Sequence, residues 1–278
     1  MIPFDFAYYR PETVEEAVAL FAKISAAGQK PIYYGGGTEF ISMARLRNVQ
    51  ADAVIDLKGI PECCCQEVTA GELVLGVGVT LSAIAEKDYF PLLTKTVKRI
   101  ADHTIQEKIT LGGNLAGTII YREGILPLLA ADGEVVLAQV KGRRRVPLRD
   151  VFDRVLKLAP GEMIVQAVVK ADYLKLPFAH AKRTKNEKID YPLITLAAIK
   201  NGSRINLAIS GLCQYPLRSL EMEDAINQGG LLPEARIEKA VAAISGQVQG
   251  DLSGSAEYRR FVLGLMLDEA LKRLGEVN

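Results

Sequence analysis

The stretch Pro31-Ile32-Tyr33-Tyr34-Gly35-Gly36-Gly37-Thr38-Glu39 carries the most local information in the chain. Its first four residues read as a short strand, and three residues without a Cβ follow directly. Glycine reaches positive φ at little steric cost, so consecutive glycines let backbone amides converge and approach an anion closely. The Thr38 hydroxyl adds a further polar group. The run is neither the G-x-G-x-x-G dinucleotide fingerprint nor a phosphate loop, since no Gly-Lys-Ser/Thr follows. It is either a tight turn or a cradle for a pyrophosphate.

The flanks support a mixed fold. Thr13-Val14-Glu15-Glu16 forms a capping box, Ala17, Val18, Leu20, Phe21 and Ile24 recur at helical spacing, and Gly28 ends the helix. Phe40 to Leu46 reads as a second helix and Ala53 to Leu57 as a buried strand, so residues 1–57 predict a strand–helix–strand–helix–strand unit. Beyond it, strands are expected at Glu72 to Gly76, Glu134 to Ala138, Arg143 to Pro147 and Met163 to Ala171. Helices are expected after Thr80 or Ser82, over Leu92 to Ala101 and over Ile125 to Ala131. Phe178 to Arg183, Leu193 to Ile199 and Arg204 to Gly211 then form an antiparallel meander, with Asn201-Gly202 as its hairpin signal. Helices over Leu220 to Asn227, Pro233 to Ser245 and Ser255 to Leu274 close the chain.

Composition narrows the function. The 278 residues hold 34 Lys plus Arg against 33 Asp plus Glu, a net charge of +1, which argues against gripping nucleic acid or an anionic membrane. No apolar run nears the roughly 20 residues of a membrane span. Met1 to Arg10 lacks the pattern of a secretory signal, so the expected location is the cytoplasm. Cys63, Cys64 and Cys65 are consecutive and Cys213 is distant, a spacing that fits neither a disulfide framework nor a metal site, and no metal is expected. Arg143-Arg144-Arg145 reads as a solvated hairpin face or as a docking surface.

A second glycine-containing segment, Thr110-Leu111-Gly112-Gly113-Asn114, reads as a turn that supplies another close backbone approach, a hydroxyl and an amide. Two such loops facing one another across a cleft would suit a flavin or nucleotide. No acid–base dyad, metal site or nucleophile is visible.

These strings, in order, resemble the FAD-binding (medium) subunit of molybdenum hydroxylases, the xanthine dehydrogenase and carbon monoxide dehydrogenase flavoprotein family. Tyr8 to Ala17 is similar to its opening, Gly35 to Glu39 to its first FAD loop, and Ile100-Ala101-Asp102 with Thr110 to Leu115 to its second. Phe178 to Asp190 and the closing helices resemble its C-terminal domain. The resemblance implies an α+β fold: a PCMH-type FAD-binding region over 1–171, in subdomains of about 1–57 and 58–171, then a smaller α/β domain over 172–278 with an antiparallel sheet and helices. It implies FAD contacts from Gly35, Gly36, Gly37, Thr38, Glu39, Thr110, Gly113 and Asn114. Glu123 stands where the family usually has an aspartate. A family lysine near the flavin has His180, Lys182 and Arg183 as its nearest matches, with Lys182 of the same type, and Asp190 matches a downstream acid. The segment Thr118 to Arg122 departs from the family's small and Pro-containing residues, placing Tyr121 either near the isoalloxazine or simply in packing. His180 reads as a packed strand residue, and His103 takes no chemical role.

The implied function is electron transfer. A molybdopterin-binding large subunit oxidises substrate, a small subunit with 2Fe-2S clusters relays electrons, and FAD on this chain delivers them to NAD⁺ or another acceptor. Alternatives are a free-standing reductase of the enolpyruvyl-sugar nucleotide type and a flavin-free docking subunit.

Overall fold

The computed structural model describes residues 2–185, 190–244, 246 and 248–275. Parts of two sequence expectations, Ser245 at a helix end and residues 186–189 of the Phe178 to Asp190 string, lie outside these.

The chain opens with β1 (Ala7–Tyr9), α1 (Val14–Ala26), β2 (Pro31–Tyr34), α2 (Thr38–Arg45) and β3 (Ala53–Asp56), a parallel sheet in the order β1-β3-β2. Parallel neighbours need crossover connections, and α1 and α2 supply them. The forward half of the capping box forms, with Thr13 Oγ1 accepting the Glu16 amide at 3.1 Å, while Glu16 Oε2 reaches one residue past the N-cap to accept the Glu12 amide at 2.9 Å. The central strand β3 is buried along its whole length.

A second, antiparallel sheet follows. After α3 (Pro61–Cys64) come β4 (Gln66–Thr69) and β5 (Glu72–Gly76), then α4 (Leu81–Lys87), α5 (Pro91–Val97), α6 (His103–Gln106), α7 (Leu111–Ala116) and α8 (Ile125–Ala130). The strands β6 (Glu134–Gln139) and β7 (Gly142–Pro147) form a hairpin. Past α9 (Leu148–Val151) and the short β8 (Phe152–Asp153) and β9 (Val155–Leu156), β10 (Met163–Lys170) inserts between the hairpins to give the order β4-β5-β10-β6-β7.

The meander β11 (Phe178–Thr184), β12 (Pro192–Asn201) and β13 (Arg204–Ser210) makes the third sheet, followed by α10 (Leu220–Ile226), α11 (Pro233–Ala243) and α12 (Ala256–Arg273). Gly202 takes φ +59° in the predicted hairpin. This sheet is covered on both sides, which explains the near-continuous apolar run of β12. Ala197, Ile199 and Ala208 join the core that runs from Val14 to Leu174, whereas Ile194, Leu196 and Ala198 pack with Met222, Leu263 and Met266 in a second core.

Two local expectations need correction, and two further features add to the reading. Thr110 to Asn114 is no free turn after a strand: Thr110 caps α7, both glycines are helical, and the tertiary fit of Leu111 and Leu115 outweighs their low helix propensity. The helix expected over Leu92 to Ala101 spans Pro91 to Val97, and Ala101 has φ +52°. The strand β4 escapes a search for apolar alternation because it is a polar edge strand, Gln-Glu-Val-Thr. The three arginines of β7 are exposed, as the solvated-face reading expects, and are ion-paired there: Arg143 with Glu15 and Glu62, Arg144 with Glu162, and Arg145 with Glu72 and Glu134. The three adjacent cysteines sit at the α3 turn, and Cys63 is buried in the first core, where desolvation pushes its thiol up to about 12.

Candidate functional site

The first glycine loop lies at the C-terminal end of β2 and leads into α2. A loop at the carboxyl end of a parallel strand that opens a helix is a recurrent ligand position. Gly37 is the N-cap, with φ +72°, and no side chain caps the helix. The first-turn amides of α2 are thus left without an intrahelical or side-chain acceptor, and they face the anion-attracting end of the helix dipole. A Cβ on Gly37 would stand 2.0 Å from the Tyr34 hydroxyl, and one on Gly36 would stand 1.5 Å from the Lys108 carbonyl oxygen. The loop therefore needs both its left-handed residue and its bare backbone.

A charged clamp holds this loop from below. Lys58 Nζ donates to the Gly35 carbonyl at 2.6 Å and to Asp56 Oδ1 at 2.7 Å, and lies 4.8 Å from the centroid of the Tyr34 ring. The Tyr8 hydroxyl donates to Asp56 Oδ2 at 2.6 Å. Although desolvation works against its charge, hydrogen bonds from Lys58 and Tyr8 hold the Asp56 carboxyl below its ordinary value. Sequence reasoning missed this clamp. Its one signal was an acid and a lysine two residues apart, at the end of a strand parallel to the one that feeds the loop.

The second loop abuts the first directly. A Cβ on Gly35 would come within 2.5 Å of Thr110 Oγ1. The amides of this second loop, unlike those of α2, are engaged by protein: Leu111 N and Gly112 N donate to the Val79 and Val77 carbonyls at 2.8 Å each, and Gly113 N donates to Thr110 Oγ1 at 3.2 Å. Gly112 serves close packing, since a Cβ there would lie 2.6 Å from Val77 Cβ. Asn114 Oδ1 accepts the Gly124 amide at 2.9 Å, which leaves the amino end as the part able to meet a ligand.

Of the residues expected to join the two loops, Tyr121 and Glu123 lie along one segment, Gly117 to Gly124. At its start, Glu39 ties the helix that follows the first loop to the residue just past the α7 C-cap, accepting from the Thr118 amide at 2.8 Å and from the Thr118 hydroxyl. Next, the Tyr121 ring stacks on Tyr191 with centroids 4.7 Å apart, and its carbonyl accepts from Ser210 Oγ. Glu123 then enters the interior, where Oε2 meets Lys182 Nζ at 3.0 Å and Oε1 accepts from Thr195 Oγ1 at 2.6 Å. Lys182 Nζ also donates to the Arg99 carbonyl at 2.6 Å. Desolvation raises the Glu123 carboxyl above its ordinary value despite the Lys182 charge. The pair lies on the face of the third sheet that Thr195 shares with Ala197 and Ile199, toward the first core.

Between Tyr121 and Glu123 lies Arg122, a residue with no sequence signal beyond its charge. It is 2% exposed, and its Nε and Nη1 have no hydrogen-bond partner among the described residues. His180 faces Lys95, Arg99, Lys182 and Arg273 from β11, and desolvation with those charges lowers it to about 3, so it is neutral. Arg183 pairs with Glu269, on the opposite face of β11 from Lys182. Asp190 accepts the Tyr191 amide, and His103 is exposed beside Glu107. A cleft of about 330 Å³ lined by Asp132, Glu134, Arg149, Lys170 and Arg218 shares no residue with either loop, and Asp132 in it is paired with Arg218.

Uncapped amides at α2 and the Lys58 ammonium beside the loop together favour a cofactor that carries a diphosphate. The donor set fits FAD.

Comparisons with known proteins agree. The carbon monoxide dehydrogenase medium chain of Afipia carboxidovorans is 28% identical, with 98% of each chain covered. The nicotine 6-hydroxylase medium subunit of Paenarthrobacter nicotinovorans is 26% identical, with 96% of each covered. Among solved structures, a chain of the carbon monoxide dehydrogenase from Hydrogenophaga pseudoflava superposes with a TM-score of 0.87 at 26% identity, covering 99% of both chains. Residues 4–169 match the family described as the FAD binding domain in molybdopterin dehydrogenase, and the chain belongs to that family.

Proposed function

We propose that this chain is the electron-transfer flavoprotein subunit of a multi-subunit molybdenum hydroxylase. The observation that carries this reading is the uncapped start of α2, set against the second loop and tied by Glu39 to the residue just past the α7 C-cap, within a chain of the FAD-binding family. Relatives named as medium chains or subunits of a dehydrogenase and a hydroxylase support a multi-subunit assembly, in which the partners of this chain would be a molybdopterin-binding large subunit and a 2Fe-2S small subunit. Substrate choice would then lie in the large subunit.

FAD, when bound, supplies the redox chemistry that accepts electrons and passes them to NAD⁺ or another acceptor. The protein's part is electrostatic and positional. The amides of Gly35, Gly36, Gly37 and Thr38 would take the pyrophosphate, with Lys58 adding positive potential and fixing the Gly35 carbonyl. Thr110, Gly113 and Asn114 would line the opposite wall, Glu39 would keep the walls together, and the Glu123–Lys182 pair would fix the floor on which the flavin end rests. Four free thiols accord with a cytoplasmic location, and no helix of the described residues is long and apolar enough to cross a membrane.

The test is an absorbance titration of the purified chain with FAD, followed by anaerobic NADH and then dithionite. Flavin bands that bleach with NADH support an NAD-linked subunit. Bands that bleach only with dithionite keep the flavoprotein and remove NAD⁺ as acceptor. Absence of FAD binding, with partner subunits present, refutes the reading.

A further inference from the structure

Arg122 carries a charge that the described residues do not match. Its Nη2 donates to the Arg154 carbonyl and its guanidinium lies 5.3 Å from the centroid of Phe152, but Nε and Nη1 are buried without an acceptor. Arg218 and Arg259 have carboxylate partners, which Arg122 lacks within salt-bridge distance among the described residues: Arg218 reaches Asp132 and Glu223, and Arg259 reaches Asp251, although its Nε is likewise unmet. The carboxylate that acts on Arg122 is Glu39, which is held by Thr118. A buried cation with open donors is costly to the chain that holds it, unless an anionic acceptor arrives to complete it.

Its place in the segment says which acceptor. Thr118, four residues earlier, is fastened to Glu39 in the helix that follows the first loop, while the neighbours Tyr121 and Glu123 are fastened to Ser210, Lys182 and Thr195 of the third sheet. Arg122 therefore lies on the stretch that runs from the phosphate cradle to the floor of the site. Non-glycine residues at φ +32° (Arg122) and +68° (Arg154) hold the two backbones that position the guanidinium.

We propose that Arg122 is a preset counter-charge for FAD, whose open N–H groups take an anionic oxygen of the cofactor, on the pyrophosphate or on the reduced isoalloxazine. The inference rests on the FAD-binding reading. It carries a sign that a purely structural arginine would not show. Without FAD, Arg122 is a burden on the fold. With FAD, it contributes a charge-assisted hydrogen bond.

The experiment compares the full chain with Arg122→Met and Arg122→Lys, by thermal unfolding without FAD and by fluorescence titration with FAD. Arg122→Met is expected to melt no lower than the parent when FAD is absent, and to bind FAD at least tenfold more weakly. Arg122→Lys, which keeps the charge, is expected to recover part of the affinity. A drop in midpoint potential at saturating FAD assigns the contact to the isoalloxazine; an unchanged potential with equally weakened ADP binding assigns it to the pyrophosphate. A lower melting point for FAD-free Arg122→Met, or failure of both variants to fold, overturns the proposal, as does unchanged FAD affinity. If the parent itself binds no FAD, the wider cofactor reading falls with it, and the parent titration alone reveals that case.

Discussion

Replacing Lys182 with Met strips the cation from the buried pair with Glu123 and leaves a carboxylate that is 4% exposed with one hydrogen bond, from Thr195. Such a group folds protonated. Taking a carboxyl with an ordinary value of 4.5 to its neutral form at pH 7 costs about 3.4 kcal/mol, at about 1.36 kcal/mol per pH unit. Loss of the Lys182 hydrogen bond to the Arg99 carbonyl adds about 1 kcal/mol that does not vary with pH. The sign follows from linkage: the folded variant retains a proton that the unfolded chain releases above 4.5, so its stability falls as pH rises. Urea unfolding of the FAD-free chain at pH 5.5 and pH 7.5 should therefore show a penalty that grows by about 2.7 kcal/mol across the interval. The double variant Lys182→Met/Glu123→Gln should lose that slope. Equal penalties at the two pH values would refute the argument, because Glu123 would then stay ionised without its lysine.

Two further outcomes test the loop geometry. Gly36→Ala forces the first loop off the Lys108 carbonyl and should cost about 1–3 kcal/mol of stability, with FAD binding weakened at least tenfold, whereas Gly229→Ala, with open space around it, should change neither. Isothermal titration with FAD checks both variants. Lys58→Met removes a half-exposed charge from beside the Gly35 carbonyl, so FAD affinity should fall by about fivefold or less and its salt dependence should flatten, read from titrations at low and high ionic strength.

The parts of the fold legible in the sequence are those that local rules determine. The Thr13 and Glu16 cap, the Asn201-Gly202 hairpin and the amphipathic closing helices each obey short-range spacing. Thr110 to Asn114 misleads because two glycines signal a turn, while the anchors that make it helical, Val77, Val79 and the apolar core, come from distant sequence. The arginine run on β7 reads correctly as a solvated face, but its ion pairs are not legible, since the carboxylates come from α1, α3, β5, β6 and the residue before β10. At the site, bare glycines announce a cradle because backbone freedom is a property of the residue type. Arg122 announces nothing, because its meaning is burial with two N–H groups left unmet, which only the fold creates.

The strand order β4-β5-β10-β6-β7 bears on how the chain is made. Its middle strand is the last to leave the ribosome, so two finished hairpins must wait with open inner edges until β10 arrives. At the usual pace of synthesis, the residues from Pro147 to Lys170 take about 1–5 s to appear. During that interval the apolar flanks of β5 and β6 are exposed to any other nascent chain, and the vulnerable moment of this protein's biogenesis falls there. A slow codon cluster in that window would lengthen the exposure, and a chaperone that binds extended apolar strands would be most useful then.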